Sequence, residues 1–350
     1  MTDVERPAAP GSVAATGLDM GVLADLALKT LHFASNIDGA DLAKRLAVSL
    51  NATTELLEFL RRERLCEVMG GTGRSAATVR SSLTSKGIDR AAVALGMSGY
   101  VGPAPVPLRA YIDQVRRQTI QNVELSRRVI EEGLSHLVLP QRTLDVIGRA
   151  VSSKRATLLY GASGNGKTSA AEGLARAMPG HILIPYAVEV MREIIQLYDP
   201  STHEAVDGAD SGRSAGRGMP DRRWVVIKRP AVFAAGELAA NHLELMLDQV
   251  HKTYEAPIQM KANGGLLIID DFGRQRLDAA YLLNRWVIPL ERRVDHCRST
   301  VAPGSKFPST SSRSLCPTCL RSSWRTMRSC DGFATRWRFQ GLTPPPSSRY

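Results

Sequence analysis

The sequence predicts an α/β fold built on a parallel sheet and preceded by a small helical domain. An apolar run at 156–160 leads directly into a glycine-rich turn and then a helix. A second apolar run, at 266–269, follows two glycines and ends in two acids. Buried strands of this kind are typical of parallel sheets that bind ligands at the carboxyl ends of their strands. The helical domain is indicated by three segments of helical period within residues 18–95.

Composition and charge limit the classes of function. The chain of 350 residues, 43% of them hydrophobic, is long enough for about two globular domains. Its formal charge of +11 is concentrated at one end, because residues 296–350 contain 9 of the 45 lysines and arginines and one acid. That stretch has a net charge of +8, which leaves +3 for the other 295 residues. Nucleic acid is therefore not the favoured partner.

The expected location is the cytoplasm, with no membrane partner. No apolar run approaches the roughly 20 residues that a membrane-spanning helix needs. The first residues include Asp3 and Glu5, whereas the start of a signal peptide carries basic residues.

The glycine-rich turn matches the phosphate-binding pattern G-x-x-x-x-G-K-[ST]. Its glycines allow successive backbone N–H groups to approach the β- and γ-phosphates, and the following helix, at about 167–178, adds positive charge at its N-terminus. Lys167 would neutralise the phosphates, and the hydroxyl of Thr168 would ligate Mg²⁺. The alternative is a turn without a ligand. The predicted binding residues are Gly161, Ala162, Ser163, Gly164, Asn165, Gly166, Lys167, Thr168 and Ser169.

The second apolar run supplies the carboxylates that a phosphate-bound Mg²⁺ requires. Asp270 is expected to contact the Mg²⁺, and Asp271 to polarise the attacking water. The predicted catalytic residues are therefore Lys167, Asp270 and Asp271, with Thr168 and Asp270 at the metal. The alternative is that two acids simply end a strand.

The segment 260–275 resembles the Walker B segment of AAA+ ATPases, especially MoxR-like proteins and enhancer-binding activators with an A-N-G-G lead-in. The segment 282–291 resembles the helix that follows it. The resemblance covers residues 18–295 and implies a three-layer P-loop NTPase core with ATP and Mg²⁺ as cofactors. It also implies ATP hydrolysis coupled to remodelling of a protein or nucleoprotein partner, commonly by a ring of identical subunits. Asp271 stands where this family usually has glutamate.

The stretch 296–350 differs from the rest of the chain. It contains four of the five cysteines and two of the four tryptophans, and it lacks a helical or strand period. A shifted reading frame of a back-translated coding sequence can encode FVSNL and DDAFLRRI, which resemble the family's sensor strand and arginine-finger helix. We therefore predict a frameshift near Asp295 or His296. Two alternatives are a genuine disordered basic tail and a zinc site at Cys297, Cys316, Cys319 and Cys330 with His296.

The predicted helices at 20–34, 38–47 and 51–64, followed by strands at 65–69 and 77–83, resemble a winged helix. DNA binding would use the third helix, so the alternative function is a DNA-binding regulator switched by nucleotide. That helix has mixed charge, with Glu55 and Glu58 beside Arg61 and Arg62.

Five regions are predicted along the chain. They are a disordered leader at 1–16, a winged-helix-like domain at 17–100, a proline-rich linker and helix at 101–140, a truncated AAA+ core at 141–295, and an out-of-frame, disordered tail at 296–350.

Smaller expectations concern the region between the two motifs and the region before them. The patterns predict one long helix over about 108–133 and a second core strand over 181–186. A glycine- and arginine-rich segment at 207–217 is predicted to be a mobile loop. Tyr198 and His203 lie near it and are interpreted as exposed loop residues, with contact to nucleotide or substrate as the alternative.

Overall fold

The structure is a computed structural model of the chain. The residues that it describes are 6–69, 79–120, 123–154, 156–160, 164–206, 219–273, 275–292, 295–296, 313–314, 318–322 and 335–338. The predicted loop at 207–217 lies outside them.

The described part of the chain contains both helices and strands. The helices are α1 (Met20–Ala34), α2 (Gly39–Leu46), α3 (Leu50–Arg62), α4 (Ser85–Met97), α5 (Leu108–Arg117), α6 (Arg127–Gly133), α7 (Gln141–Ser152), α8 (Lys167–Arg176), α9 (Ile258–Lys261) and α10 (Ala279–Arg292). The first twelve strands are β1 (Ile37–Asp38), β2 (Cys66–Val68), β3 (Arg80–Leu83), β4 (Val106–Pro107), β5 (Thr157–Tyr160), β6 (His181–Pro185), β7 (Ala187–Val190), β8 (Glu193–Gln196), β9 (Trp224–Lys228), β10 (Ala231–Ala234), β11 (Met246–Asp248) and β12 (Thr253–Glu255). The last five are β13 (Leu266–Ile269), β14 (Asp295–His296), β15 (Arg313–Ser314), β16 (Thr318–Ser322) and β17 (Thr335–Arg338).

The three helices predicted near the N-terminus are present as α1, α2 and α3, and their side-chain caps explain where they begin. The carboxylate of Asp19 accepts a hydrogen bond from the backbone N–H of Gly21, and Ser49 does the same for Ala52. The strands of this region form an antiparallel sheet in the order β1-β3-β2. The turn between β2 and β3 lies outside the described residues, so the winged-helix assignment stays a prediction.

The predicted disordered leader is ordered where the structure describes it. The backbone N–H of Ala9 donates to the carbonyl of Met219 at 2.8 Å, and that of Asp221 donates to the carbonyl of Pro7 at 2.9 Å. Val13 is buried in the core of the helical region with only 4% of its surface exposed. A segment rich in Ala, Pro and Gly has no core of its own. It is ordered here because Val13 packs into the core of the helical region.

The single long helix predicted over 108–133 is wrong, because two helices, α5 and α6, lie in this range. Gln118 follows α5 and pairs with the backbone of β6 instead of continuing a helix. Its side-chain amide donates to the carbonyl of Leu183 at 2.6 Å, and its side-chain oxygen accepts from the N–H of Leu183 at 2.9 Å. A tertiary contact therefore competes with the helical period at this point.

The central sheet has five parallel strands in the order β10-β13-β16-β5-β17. Strand β13 is buried throughout, as its run of four apolar residues predicts. Apolar residues of β10, β13 and α10 form one core, and residues of β5, α6, α7 and α8 form another. The mixed α/β architecture with a parallel sheet is confirmed.

A second sheet has the order β11-β12-β8-β7-β4 and mixes parallel and antiparallel pairs. The segment 181–186 was predicted to be a second core strand, and a buried strand, β6, is present there but lies outside the central sheet. Strand β6 instead pairs antiparallel with β9, residue by residue from His181 opposite Lys228 to Pro185 opposite Trp224. Strand β13 is flanked by β10 and β16 in the central sheet.

The stretch 296–350 contains three short strands, which differs from the disorder expected for it. Strand β16 lies between β13 and β5, and β17 pairs with the other edge of β5. Pairing of backbone N–H and C=O groups is open to any residue except proline, so a segment without a strand period can still occupy a sheet. The remainder of the stretch lies outside the described residues, and its coding frame stays a prediction.

Within the described part of the chain, no helix is both long and apolar enough to cross a membrane.

Candidate functional site

The predicted phosphate-binding turn lies between β5 and α8. Gly161, Ala162 and Ser163 lie outside the described residues. Gly164 and Gly166 have φ values of 82° and 68°, in the left-handed region that glycine adopts without strain. Gly166 is the N-cap of α8, so the chain turns from the sheet into the helix over these residues.

Lys167, Thr168 and Ser169 form the first turn of α8. Lys167 and Ser169 are partly exposed, and Thr168 is exposed. Helix α8 has ten residues and begins after β5, so the positive end of its dipole lies at the turn where an anion would bind. Asn165 precedes this turn and is partly exposed.

The two predicted motifs meet in the structure. The hydroxyl of Thr168 donates to Oδ2 of Asp270 at 2.7 Å, although the two residues are 102 positions apart in the chain. Asp270 follows β13 directly, and its backbone N–H donates to the carbonyl of Ala234 at the end of β10, at 2.9 Å. The parallel strands therefore bring the carboxylate to the start of α8.

Asp271 follows Asp270 in the turn after β13. Its backbone N–H donates to Oδ1 of Asp270 at 2.9 Å, so each oxygen of the Asp270 carboxylate accepts one hydrogen bond. Asp271 itself has a φ of 49° and an exposed side chain. Aspartate tolerates the left-handed conformation better than most residues, because its short polar side chain can bond locally.

The donor atoms fit the cofactors that the sequence implies. Magnesium prefers hard oxygen ligands, usually one or two carboxylates together with phosphate oxygens. Thr168 supplies a hydroxyl and Asp270 a carboxylate, and their oxygens lie within hydrogen-bonding distance of each other. Lys167 and the N-terminus of α8 supply the positive charge that a polyphosphate needs.

Sequence reasoning missed the residues that support the start of β13. The guanidinium of Arg229 donates to three backbone carbonyls, those of Gln118 and Pro179 at 3.1 Å each and that of Gly264. Burial lowers the pKa of Arg229 to about 10. The side-chain amide of Asn263 also donates to the hydroxyl of Tyr111, at 2.7 Å. Every residue has a backbone carbonyl, so no spacing of residue types in the sequence indicates the contacts of Arg229.

His203 was expected to be an exposed loop residue, and this is wrong, because only 2% of its surface is exposed. Its Nδ1 accepts a hydrogen bond from the backbone N–H of Asp199 at 3.1 Å, and its Nε2 lies 2.9 Å from the carbonyl oxygen of Lys261. Burial lowers the pKa of His203, so the neutral ring is favoured. The ring also stacks on that of Tyr198, with centroids 6.0 Å apart. The local sequence has no signal for this burial, since it depends on the segment before β13.

The cysteines considered for zinc binding lie in the stretch 296–350. Cys297, Cys316 and Cys330 fall outside the described residues. Among the residues that are described, no group of three or more His, Cys, Asp or Glu side chains could hold a metal ion.

Comparisons with known proteins add little to this geometry. No family model matches the chain, and no curated protein matches it. Among 11 matching chains of solved structures, one comes from a model of the complex between subunits BchI and BchD of magnesium chelatase. That match has 19% sequence identity and a TM-score of 0.30, and it covers 51% of this chain and 50% of that chain. A likeness at this level carries no argument about function, and the match spans only half of the neighbour's length.

Proposed function

We propose that the chain is an AAA+-type P-loop ATPase that couples the binding and hydrolysis of Mg-ATP to remodelling of a protein or nucleoprotein partner. The observation that carries the proposal is the hydrogen bond between Thr168 and Asp270, which joins the two halves of a nucleotide site. The resemblance of the segment 260–275 to AAA+ Walker B segments supports the class.

Each residue of the site has a distinct role in this proposal. The backbone N–H groups of Gly164, Asn165 and Gly166 and the ammonium group of Lys167 bind and orient the phosphates. Thr168 and Asp270 would hold the metal, which would neutralise charge on the β- and γ-phosphates. Asp271 orients the attacking water and accepts its proton. Phosphoryl transfer depends mainly on such positioning and charge stabilisation. These few groups therefore supply the types of interaction that the reaction needs.

The test is a comparison of the wild-type chain with Lys167→Ala. Saturating Mg-ATP should stabilise the wild type, by about 2.7 kcal/mol at a ligand concentration of 100 times Kd. The variant should lose most of that gain, since its phosphate charge is no longer neutralised. Lys44→Ala, at an exposed lysine of α2, serves as the matched control. Equal stabilisation of the wild type and Lys167→Ala would contradict the proposal.

We expect the protein with the present sequence to hydrolyse ATP slowly. In enzymes that use an arginine finger, this residue raises the rate of phosphoryl transfer by roughly 10³–10⁵-fold. In this protein the corresponding helix is encoded only in the shifted frame. The nucleotide sequence across codons 285–310 decides whether a base has been gained or lost. A frame-restored protein should then hydrolyse ATP much faster than the written one, and equal turnover would contradict the proposal.

The alternative function, a DNA-binding regulator, is less well supported. Its DNA contacts would come from α3, but the carboxylate of Glu55 on this helix accepts a hydrogen bond from the backbone N–H of Val13, at 2.9 Å. The N-terminal segment therefore lies beside the surface that DNA would contact. Specific duplex binding with a steep dependence on salt would favour the alternative.

A ring of identical subunits remains part of the proposal. Its subunit interface would need the family's C-terminal elements, so assembly is expected only with the frame-restored sequence. The mass of the protein in solution with Mg-ATP, measured by light scattering, tests this directly.

A further inference from the structure

The side chain of Gln275 closes the turn that follows β13. Its Nε2 donates to the backbone carbonyl of Asp270 at 2.8 Å, and its Oε1 accepts from the backbone N–H of Gly273 at 2.7 Å. A carbonyl can only accept and a backbone N–H can only donate, so these two bonds identify which end of the amide is oxygen. Gln275 thus bridges the two ends of the segment 270–273.

That segment contains both acids of the proposed site. Asp271 lies within it and has a φ of 49°, in the left-handed region that residues other than glycine seldom adopt. Its backbone N–H donates to one carboxylate oxygen of Asp270, and Thr168 donates to the other. The position of the Asp271 backbone and the orientation of the Asp270 carboxylate are therefore set together.

The ends of the turn are held by other contacts. The N–H of Asp270 donates to the carbonyl of Ala234, and the N–H of Arg276 donates to the carbonyl of Gly236 at 3.1 Å. Both contacts join the turn to the chain at and after the end of β10. Loss of the Gln275 amide should therefore loosen the turn between these anchors while the sheet stays folded.

We propose that Gln275 is a positioning residue, whose amide bridge holds Asp270 and Asp271 in place relative to Thr168 during ATP hydrolysis. The proposal rests on the proposed function. Gln275 acts through the two acids and is assigned no contact with the nucleotide.

The first experiment separates nucleotide binding from turnover. Gln275→Ala removes both hydrogen bonds. The control, Gln141→Ala, removes an exposed glutamine whose amide donates to the carboxylate of Asp145 at 3.3 Å. In single-turnover assays of the full chain, Gln275→Ala should lower the hydrolysis rate at least about tenfold, since small displacements of catalytic groups can cost about 10²-fold. The ATP affinity of both variants, and the rate of Gln141→Ala, should stay within about twofold of the wild type.

The second variant tests the donated hydrogen bond alone. In Gln275→Glu, a carboxylate can still accept from Gly273 but faces the carbonyl of Asp270 without a proton. Protonation restores an O–H donor, so the rate of Gln275→Glu relative to the wild type should rise as the pH falls towards the ordinary glutamate pKa of about 4.3. A residue that only fills space would show no such pH dependence.

Hydrogen exchange on the free protein tests the bridge without nucleotide. The amide of Gly273 should exchange faster in Gln275→Ala than in the wild type, because its acceptor is gone. Unchanged turnover in Gln275→Ala would overturn the inference and leave the proposed function standing. Equal stabilisation of the wild type and Lys167→Ala by Mg-ATP would overturn both, even if Gly273 exchanges faster in Gln275→Ala.

Discussion

The guanidinium of Arg223 lies 2.8 Å from the carboxylate of Asp221, and the two side chains are only 6% and 3% exposed. The same guanidinium donates to the backbone carbonyls of Thr16 at 3.1 Å and Pro105 at 3.4 Å. One ion pair at the start of β9 therefore connects the N-terminal segment with the proline-rich linker. The remaining hydrogen bonds of the guanidinium are made to backbone, so its charge is well solvated by the protein.

Replacement of Arg223 by methionine should destabilise the protein. The carboxylate of Asp221 would stay buried without its partner, and breaking a buried pair in this way costs about 3–5 kcal/mol. Urea denaturation measures the free energy of unfolding. The control is Arg128→Ala, which removes an exposed pair with Glu132 and should cost at most about 1 kcal/mol. Similar losses in the two variants would contradict the structural role given to Arg223.

Replacement of Thr168 by valine should weaken the binding of Mg-ATP about tenfold and leave metal-free binding nearly unchanged. Valine keeps the branched shape but has no hydroxyl to offer to the metal or to Asp270. Titration of ATP with and without Mg²⁺ measures the two affinities. Thr168→Ser keeps the hydroxyl and should bind like the wild type, so a loss in both variants would point to packing instead.

Replacement of Gly265 by alanine should disturb the register between β10 and β13. A Cβ atom there would lie 1.9 Å from the carbonyl oxygen of Pro230, which accepts the hydrogen bond of Leu266. The backbone cannot move aside as a flexible side chain can, so we expect the free energy of unfolding to fall by at least about 3 kcal/mol. At Gly96 in α4 a Cβ meets nothing within 4 Å, so Gly96→Ala should instead add up to about 1 kcal/mol. Thermal unfolding compares the two, and a mild effect at Gly265 would contradict the close approach.

Stability should fall below pH 6.5 because of His203. Burial lowers the pKa of this ring from 6.5, so the unfolded chain binds more protons than the folded one between the folded-state pKa and 6.5. The contribution of neutral His203 is thus present above pH 6.5 and is lost as the pH falls towards the folded-state pKa. Burial raises the pKa of Asp199, but hydrogen bonds from Lys261 and Ser201 outweigh it and leave the pKa lowered. The stability that Asp199 contributes is therefore lost only at much lower pH.

The variant His203→Gln tests this assignment. An uncharged amide can accept from Asp199 and donate to the carbonyl of Lys261, but it does not titrate. Urea denaturation at neutral pH and about one unit below pH 6.5 should show a smaller pH dependence in the variant. An identical pH dependence in the two proteins would assign the effect to other groups.

The sequence alone predicted those features of the fold that depend on residues close together in the chain. Helix α1 begins after Asp19 because the capping carboxylate and the helical period lie within one segment, and the predicted bounds 20–34 match it. The apolar run of β13 was recognised in the same way. These signals are short-range, so they can be read without knowledge of the fold.

Other features depended on residues far away in the chain. The sequence indicated a strand over 181–186 but could not say that β6 pairs with β9, because backbone pairing groups are the same in every strand. Gln118 ends a helix by pairing with Leu183, a contact with no local signal.

The candidate site divides in the same manner. The sequence by itself predicted a phosphate-binding turn before α8, and it determined that two acids follow β13. Only the tertiary structure decided that Thr168 and Asp270 lie 2.7 Å apart, that Gln275 bridges the turn between Asp270 and Gly273, and that His203 is buried. The physical reason is that residue type and spacing record local conformational preference. Distance and burial are set by which strands and helices pack together.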